Sequence, residues 1–262
     1  MVTALREELA PLLARSRVDG TVRAGRGRFY RLRLGTLAVF AGWTGDGARC
    51  AAEGLQDLLS RLPVDALLLA GVAGGLSPEL EPGALVIARE VRDAGGAAPP
   101  PDPGWVERAL DAVPATAGTL LTARRIAATA ERKVELRRRL GGAAPAAVDL
   151  ETAAWARAAA AHGVPYLAVR AVSDTAAETL PLDFERWRDR RGRVRRGGVA
   201  LHALLHPGVI GALLGLRRRV RLCAERLADA ALDLLVCSPR RAPERGRETT
   251  PLEAASTRGA EP

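Results

Sequence analysis

The 262-residue sequence has few cysteines, few aromatic residues and a single lysine. Cys50, Cys223 and Cys237 are odd in number and lack the spacing of a metal site, which argues against a disulfide framework and for a reducing compartment. Because aromatic residues make up only 3% of the chain, its basic stretches carry no interleaved stacking residues, and sequence-specific nucleic-acid binding is not expected. The single lysine, Lys133, belongs to a composition skewed toward Ala, Arg, Gly and Leu, which we interpret first as a genomic bias.

Long uninterrupted apolar segments are also missing. No run reaches the roughly 18 apolar residues of a membrane-spanning helix, and the first residues lack the pattern of a signal peptide. We therefore expect a cytoplasmic protein. Its formal charge of +9 is concentrated late in the chain, mostly in residues 186–196 and 217–221. Any peripheral contact with the anionic inner membrane surface is expected through residues 186–221, and no nucleic acid partner is expected.

What the sequence does contain is an alternation of apolar strands with amphipathic helices. A chain of this length with 48% hydrophobic residues can bury a sizeable core. Strands that are apolar throughout suggest a sheet covered by helices on both sides, which is an α/β fold. Strands are expected at 29–42, as a hairpin turning at Gly35, and at 65–76, 83–90, 117–122, 147–150 and 166–172. Helices are expected from Gly47 to Leu62 and at 105–112, 127–140 and 152–162.

The C-terminal part differs in composition from the rest. Residues 198–236 have a helical pattern interrupted at His206-Pro207-Gly208, and we interpret them as a helical extension of a single domain spanning residues 1–236. Residues 237–262 are rich in Pro, Arg, Glu and Thr, which predicts a disordered tail.

Three of the expected strands end in glycines or acidic residues: "AGVAGG" at 70–75, "VDLE" at 148–151 and "RAVSD" at 170–174. In α/β sheets ligands collect beyond such ends, so these segments predict one shared crevice. Within it, the Glu151 carboxylate could accept two hydrogen bonds from a vicinal diol, while Asp174 could carry a proton to a leaving group. The structural alternative is that Ser173, Asp174, Asp149 and Glu151 only cap the helices that follow.

The same segments resemble a known family. "VDLETAAWARAAAAHGVPYLAVRAVSD" (148–174) resembles the signature of the purine nucleoside phosphorylase and methylthioadenosine/S-adenosylhomocysteine nucleosidase superfamily. "AGVAGGLSPELEPGALVIARE" (70–90), "GWTGDGARCAAEGL" (42–55) and "ALREELAPLL" (4–13) resemble its glycine-rich strand end, its first glycine loop and its N-terminal acidic helix. The resemblance covers residues 3–175 in order. It implies a three-layer αβα fold with a mixed central β-sheet, a nucleoside substrate, a homo-oligomer and no metal or organic cofactor.

The resemblance also implies roles for individual residues. Asp174, oriented by Ser173, would protonate the purine, Glu151 would bind the ribose diol, and Glu8 would activate the attacking water. The further substrate-binding residues would be Leu150 and Asp149 beside the sugar, Ile126 where the family usually stacks an aromatic residue on the base, and Val72 and Gly74 at the glycine-rich strand end. The expected reaction is release of a purine base from an adenine nucleoside by hydrolysis.

Two alternatives to this reaction stay open. The glycine loop at Gly45 and Gly47 could cradle a phosphate through backbone amides, which would make the protein a phosphorylase. The places where phosphorylases carry an arginine and a serine are here Leu69 and Val72, which favours water, although Arg49 or Arg89 could compensate.

The N-terminus carries the second alternative. Only "MVTA" stands where the family has its first full strand, so the chain could instead be a catalytically inactive nucleoside-binding or membrane-associated scaffold. Glu8 could then be an exposed helix charge beside Glu7.

The segment after Asp174 suggests a narrower relationship. "SDTAAETLPLDFERW" (173–187) and the helical extension resemble the branch of the family associated with hopanoid biosynthesis. This resemblance implies that adenine is removed from adenosylhopane. Such a lipid-bearing substrate would account for a basic segment beside an apolar helix.

Overall fold

The computed structural model describes residues 1–24, 27–34, 37–142, 144–184 and 207–239. The strands of this part are β1 (Val2–Thr3), β2 (Arg17–Ala24), β3 (Gly27–Leu34), β4 (Leu37–Trp43), β5 (Leu67–Gly75), β6 (Leu85–Asp93), β7 (Gly96–Ala97), β8 (Thr116–Thr122), β9 (Ala146–Asp149) and β10 (Tyr166–Asp174). The helices are α1 (Arg6–Arg15), α2 (Ala48–Arg61), α3 (Pro103–Ala112), α4 (Ala130–Arg139), α5 (Thr152–Ala161) and α6 (Ile210–Val236).

All of these strands belong to one mixed sheet, in the order β10-β6-β8-β9-β5-β1-β4-β3-β2, with β7 paired to β6. Strand β10 also pairs with β5, in parallel, so that β5, β10, β6, β8 and β9 close into a ring. The β10–β6 and β5–β9 pairings are antiparallel, whereas β6–β8 and β8–β9 are parallel. The expected mixed sheet is thus confirmed, and part of it curls into a small barrel.

Helices cover both faces of the sheet, as the apolar strands predict. On one face α2 and α5 bury Leu55, Leu58 and Trp155 against the sheet. On the other face α1, α3 and α6 pack together around Leu9 and other buried apolar residues. These two cores and the sheet between them make the three-layer αβα fold.

Helix α6 is an integral part of the second layer. It contacts α1, β5 and β10, and Cys223 and Leu227 are buried in its inner face. Pro207–Val209 form a 3-10 turn, after which α6 runs without interruption from Ile210. Within the described residues, no helix combines the length and the apolar character needed to cross a bilayer. The predicted helix at 198–206, the basic segment 186–196 and the predicted tail from residue 240 onward lie outside the described residues.

The N-terminal region contains two strands that are difficult to predict from the sequence, β1 because it is short and β2 because it is mostly polar. "MVTA" does form a strand, because Val2 pairs in parallel with Gly42 of β4 and Leu69 of β5. Strand β2 was not expected, since "RVDGTVRA" is mostly polar, and it pairs with β3 at the edge of the sheet. The expected hairpin is confirmed as β3 and β4, which pair up to Leu34 and Leu37, while the expected turning point at Gly35 lies outside the described residues.

Candidate active site

The three strand ends that carry the candidate residues meet at Gly74. In the closed part of the sheet, Gly74 is in register with Val148 of β9 on one side and with Asp174 of β10 on the other. A cleft of about 240 Å³ opens beside this point. The predicted site residues that line it are Glu8, Val72, Gly74, Ile126, Asp149, Leu150, Glu151, Ser173 and Asp174. Residues that lie more than 160 positions apart in sequence therefore share one cavity.

Glu8 projects from the first turn of α1 into this cleft. Its Oε2 accepts hydrogen bonds from the backbone N–H groups of Ala4 and Leu5 at 3.0 and 2.9 Å, and its Oε1 accepts one from Val72 at 2.9 Å. Burial raises the pKa of Glu8, and these backbone donors partly offset the rise. The side chain is only 6% exposed, so the alternative of an exposed helix charge is wrong.

Glu151 is the N-cap residue of α5 and is also buried. Among the hydrogen bonds of the described residues, it accepts one at Oε1, from the backbone N–H of Gly47 at 2.8 Å. Burial raises the pKa of Glu151 well above its ordinary value, and repulsion from Asp149 adds to the rise. A carboxyl group offers about four acceptor positions, so Glu151 retains capacity for hydroxyl groups of a ligand.

Asp149, two residues earlier, is held by protein donors on both oxygens. Oδ1 accepts hydrogen bonds from Thr122 Oγ1 at 2.8 Å and from the backbone N–H groups of Glu151 and Thr152 at 3.3 Å. Oδ2 accepts from Thr152 Oγ1 and, at 2.9 Å, from Arg170 Nε. Although Asp149 lines the cleft, its acceptor positions are used to fix the start of α5.

Arg170 completes this arrangement from β10. Its other guanidinium nitrogens donate to the carbonyl oxygens of Leu69 and Val169 and to Thr152 Oγ1, and its Cζ lies 5.3 Å from the ring centroid of Trp155. The Arg170 side chain is only 1% exposed. A buried guanidinium so fully bonded fixes the middle of β5 and β10 relative to the end of β9.

Asp174 ends β10 and is 4% exposed. Its Oδ1 accepts a hydrogen bond from Ser173 Oγ at 2.5 Å, which is the orienting contact that the resemblance implies. Its Oδ2 forms an ion pair with Nζ of Lys133, a fully buried residue of α4. The Asp174 carboxylate is therefore held between a hydroxyl group and an ammonium group at the wall of the cleft.

Two glycines of β5 leave room for these carboxylates. A Cβ built on Gly71 would lie 3.1 Å from Glu8 Oε1, and one on Gly74 would lie 3.2 Å from Asp174 Oδ2. Both distances are shorter than ordinary van der Waals contact. The glycine-rich strand end thus allows the acids to approach the backbone closely.

The first glycine loop, which could have cradled a phosphate, makes hydrogen bonds to other parts of the protein. Gly45 and Gly47 have φ of 106° and 86°, which suits glycine. The Gly45 N–H, however, donates to the Ala4 carbonyl oxygen at 3.0 Å, and the Gly47 N–H donates to Glu151. Both amides therefore have protein acceptors, and the one of Gly47 fixes an oxygen of Glu151.

The remaining predicted residues form the less polar walls. Ile126 and Leu150 are half-buried and line the cleft together with Ala127, Leu180 and Val220. Leu69, one of the two positions that replace phosphate-binding residues, is fully buried in the core, so only Val72 faces the cleft. These apolar side chains suit a planar base more than a charged group.

Sequence reasoning missed two residues that hold the acids in place. Arg170 stands inside the "RAVSD" segment and in the middle of β10, but a lone arginine in a strand carries no signal of its own. Lys133 lies in "ERKVELRRR", a highly charged helix that reads as a solvated surface. The usable signal was that it is the single lysine in an arginine-rich chain.

Comparison with known proteins identifies relatives across most of the chain. The family model described as the phosphorylase superfamily matches residues 1–205. A futalosine hydrolase of Streptomyces coelicolor is 35% identical over 170 residues, which are 58% of this chain and 70% of the relative. A 5'-methylthioadenosine/S-adenosylhomocysteine nucleosidase of Geobacillus kaustophilus is 33% identical over 214 residues, which are 71% of this chain and 88% of the relative.

A solved structure agrees with this assignment at the level of the fold. The 5'-methylthioadenosine/S-adenosylhomocysteine nucleosidase of Neisseria meningitidis, in complex with methylthio-immucillin-A, has a TM-score of 0.69 and 20% identity. The match covers 89% of this chain and 96% of that chain.

Proposed function

The chain belongs to the phosphorylase superfamily, and on this premise we propose that it hydrolyses the N-glycosidic bond of an adenine nucleoside. The observation that carries the proposal is the meeting of three buried carboxyl groups, Glu8, Glu151 and Asp174, in one cleft. The names of both curated relatives, a hydrolase and a nucleosidase, support the same class of reaction.

Each carboxyl group suits one part of such a reaction. When the bond between sugar carbon and purine nitrogen breaks, the transition state resembles an oxocarbenium ion and the departing base gains negative charge. Asp174 hands a proton to the base, and Ser173 holds its carboxyl group in place. Glu151 accepts hydrogen bonds from the sugar hydroxyls while Gly47 fixes one of its oxygens.

Glu8 is assigned to the attacking water. Three backbone N–H groups fix its two oxygens, and about one acceptor position remains on Oε1 for a water molecule. Because burial raises the pKa of Glu8, the carboxylate is a stronger base than an exposed glutamate. Asp149 and Arg170 position these groups and do not touch the reacting atoms.

The engaged glycine loop supports water over phosphate as the nucleophile. Phosphorolysis needs donors for an anion, and the amides of Gly45 and Gly47 already donate to Ala4 and Glu151. Two observations favour an enzyme over an inactive scaffold. The carboxyl groups of Glu8, Glu151 and Asp174 are all buried in the cleft, and Val2–Thr3 forms a short first strand within the sheet.

The test is base release from a panel of adenine nucleosides, with and without inorganic phosphate. We expect base release without phosphate, and a loss of roughly 100-fold or more in kcat for Asp174→Asn. The matched control is Asp102→Asn, because Asp102 caps α3 outside the cleft and asparagine caps a helix equally well. Turnover that required phosphate would select the phosphorylase, and an unchanged rate in Asp174→Asn would remove Asp174 from the mechanism.

A second cavity bears on the group attached to the ribose. A groove of about 720 Å³ between α1 and α6 shares Glu7 and Val220 with the cleft. Its walls are mostly apolar, with Leu213, Leu216 and Phe184 among them, and Arg15, Arg217 and Arg221 also line it. This groove supports a substrate whose sugar carries a bulky apolar substituent, and adenosylhopane is our candidate.

Substrate competition tests this narrower assignment. We expect adenosylhopane to be used in preference to methylthioadenosine and futalosine, and Leu216→Asp to lower kcat/KM for adenosylhopane about 10-fold or more while sparing methylthioadenosine. Leu232→Asp is the matched control, since Leu232 is an exposed leucine of the same helix outside the groove. Equal effects of both variants on both substrates would contradict the assignment.

Assembly and membrane contact remain predictions from the resemblance. Ile210, Leu214 and Leu222 are exposed on α6 next to its arginines, which is compatible with either contact. Light scattering of the full chain measures its oligomeric state. Cosedimentation with anionic and neutral vesicles measures membrane association.

A further inference from the structure

The single lysine of the chain lies in the candidate active site. Lys133 is fully buried, and its Nζ donates to Asp174 Oδ2, to the Thr175 carbonyl oxygen at 2.6 Å and to the Glu178 carbonyl oxygen at 2.8 Å. An ammonium group has three protons, so these acceptors use all of them. Lys133 therefore acts on Asp174 and on the segment after β10, and it does not itself reach the cleft.

A lysine at this position has a chemical property that arginine lacks. The guanidinium group of arginine stays protonated in proteins, whereas a buried ammonium group can release a proton to a neighbour. The chain has 39 lysine and arginine residues, and Lys133 is its only lysine. Among the described residues, the cation that pairs with the acid of the reaction is thus one that can act as a proton reserve.

We propose that Lys133 is a positioning residue that supplies, through Asp174, the proton that leaves with the purine base. The proposal rests on the proposed hydrolysis. As the glycosidic bond breaks, its electron pair moves to the base, Lys133 Nζ gives a proton to the Asp174 carboxylate, and Asp174 passes a proton on to a base nitrogen. Water adds to the sugar carbon and gives its proton to Glu8. After product release, Glu8 loses that proton to solvent and Lys133 regains one.

Among the described residues, three other titratable groups face this region, those of Arg219, Cys223 and Glu8, and each has hydrogen-bond partners other than Asp174. Arg219 of α6 donates to the Ser173 carbonyl oxygen at 2.9 Å and to the Glu178 carboxylate. Cys223 of α6 donates to the Val172 carbonyl oxygen, and its pKa is raised to about 12, chiefly by burial, with smaller contributions from Asp174 and Glu8. Glu8 is bonded to three backbone amides on α1 and β5. Within the part of the chain that the structure describes, Lys133 is the charged group that donates to the Asp174 carboxylate, and its ammonium group is the immediate proton source in this proposal.

The kinetic test compares Lys133→Met and Lys133→Arg with the wild type over a range of pH. We expect kcat of Lys133→Met to fall about 100-fold, and its rate to decline at lower pH than that of the wild type, because Asp174 must then be reprotonated by solvent. Lys133→Arg keeps the charge, so KM should stay within about threefold of wild type, while kcat stays low because guanidinium releases no proton. Ethylamine should restore part of the activity of Lys133→Met.

Thr129→Ala is the control for stability, because Thr129 caps the same helix by accepting the Arg132 N–H and does not touch Asp174. It should lower the unfolding temperature without moving the pH profile. A Lys133→Arg enzyme with wild-type kcat, or a Lys133→Met enzyme with a wild-type pH profile, would overturn the proposal. If Lys133→Met does not fold, the Lys133→Arg result decides.

A second measurement does not depend on turnover. Labelling with 13C-lysine gives one ε-carbon resonance, because the chain has one lysine. The chemical shift of that resonance should change in Asp174→Asn and on binding adenine. A resonance that changed neither in Asp174→Asn nor on binding adenine would overturn the proposal. If wild type releases no base while the resonance responds, the proposed substrate is wrong and the Lys133–Asp174 coupling stands.

Discussion

Asp149 and Glu151 stand two residues apart at the end of β9, yet they belong to two different regions. Asp149 is the centre of a support network, formed by Asp149, Thr122, Thr152, Arg170 and Trp155, in which every carboxylate oxygen has protein donors. Glu151 belongs to the acid pocket of Glu8, Glu151 and Asp174, whose carboxyl groups retain acceptor capacity facing a cavity. The difference is one of number: among the described residues Asp149 accepts five hydrogen bonds, whereas Glu8 accepts three, Asp174 two and Glu151 one. A buried acid with fewer protein donors keeps more acceptor positions for a ligand.

The two regions depend on each other. Hydrogen bonds from the Glu151 and Thr152 amides to Asp149 set the direction in which the chain leaves β9, and this direction places the Glu151 side chain beside Gly47. In that place, burial and the nearby Asp149 carboxylate raise the pKa of Glu151.

The largest expected effect comes from breaking the support network. Asp149→Ala leaves the Arg170 guanidinium buried without its carboxylate, and removal of one partner of a buried ion pair costs about 3–5 kcal/mol in the free energy of unfolding. Urea denaturation of the purified protein measures this change. Glu53→Gln, which breaks the exposed ion pair with Arg49 on α2, is the control and should leave the unfolding midpoint nearly unchanged. A small effect of Asp149→Ala would mean that Arg170 finds other acceptors.

A substitution in the acid pocket should lower the activity without lowering the stability, in contrast to Asp149→Ala. Glu151→Gln keeps the shape of the side chain and the hydrogen bond from Gly47, but an amide presents a weaker acceptor to the sugar hydroxyls. We expect kcat/KM to fall about 100-fold, equivalent to about 2.7 kcal/mol, and the free energy of unfolding at neutral pH not to fall. Steady-state kinetics and denaturation on the same sample check both statements. A Glu151→Gln protein that is active but unstable would place Glu151 in the support network.

The sequence predicts the acid pocket better than the support network. Glu151 and Asp174 could be found because they end apolar strands, and the resemblance added Glu8. The closure of the sheet through β5 and β10 could not be found, because this pairing joins residues about 100 positions apart and leaves no local pattern. Lys133 was hidden for a related reason, since the charges around it predict a solvated helix and only the tertiary fold buries it.

Gly71 lies where the backbone of β5 meets the acid pocket, and its substitution tests how closely the acids must be positioned. A Cβ in Gly71→Ala would press on Glu8 Oε1 at 3.1 Å, so the carboxylate must shift away from the Val72 amide. We expect about a 10-fold loss in kcat, because small displacements of a reacting group are costly, with a smaller change in stability. Gly20→Ala in β2 is the control, since a Cβ there meets nothing within 4 Å. Equal activity of the two variants would show that the position of Glu8 is not critical.

The smallest expected effect is the pH dependence of stability. Burial raises the pKa of Glu8 and Glu151 in the folded protein above 4.5, so the folded state holds more protons than the unfolded state once the pH exceeds that value. The stabilising contribution of these two groups is therefore complete below pH 4.5 and is lost as the pH rises through their raised values. Other carboxyl groups, such as Asp93 beside Arg157, have a lowered pKa and act in the opposite direction.

The contribution of the pocket is isolated by comparing the wild type with a Glu8→Gln, Glu151→Gln variant. The variant should gain stability relative to wild type as the pH rises from 4.5 toward 8, because it no longer carries buried groups that must ionise. Asp149 keeps its donors in both proteins, so the support network cancels in this difference. Denaturation curves of both proteins at several pH values measure it, and a difference that did not change with pH would mean that the two glutamates ionise as easily in the fold as in the unfolded chain.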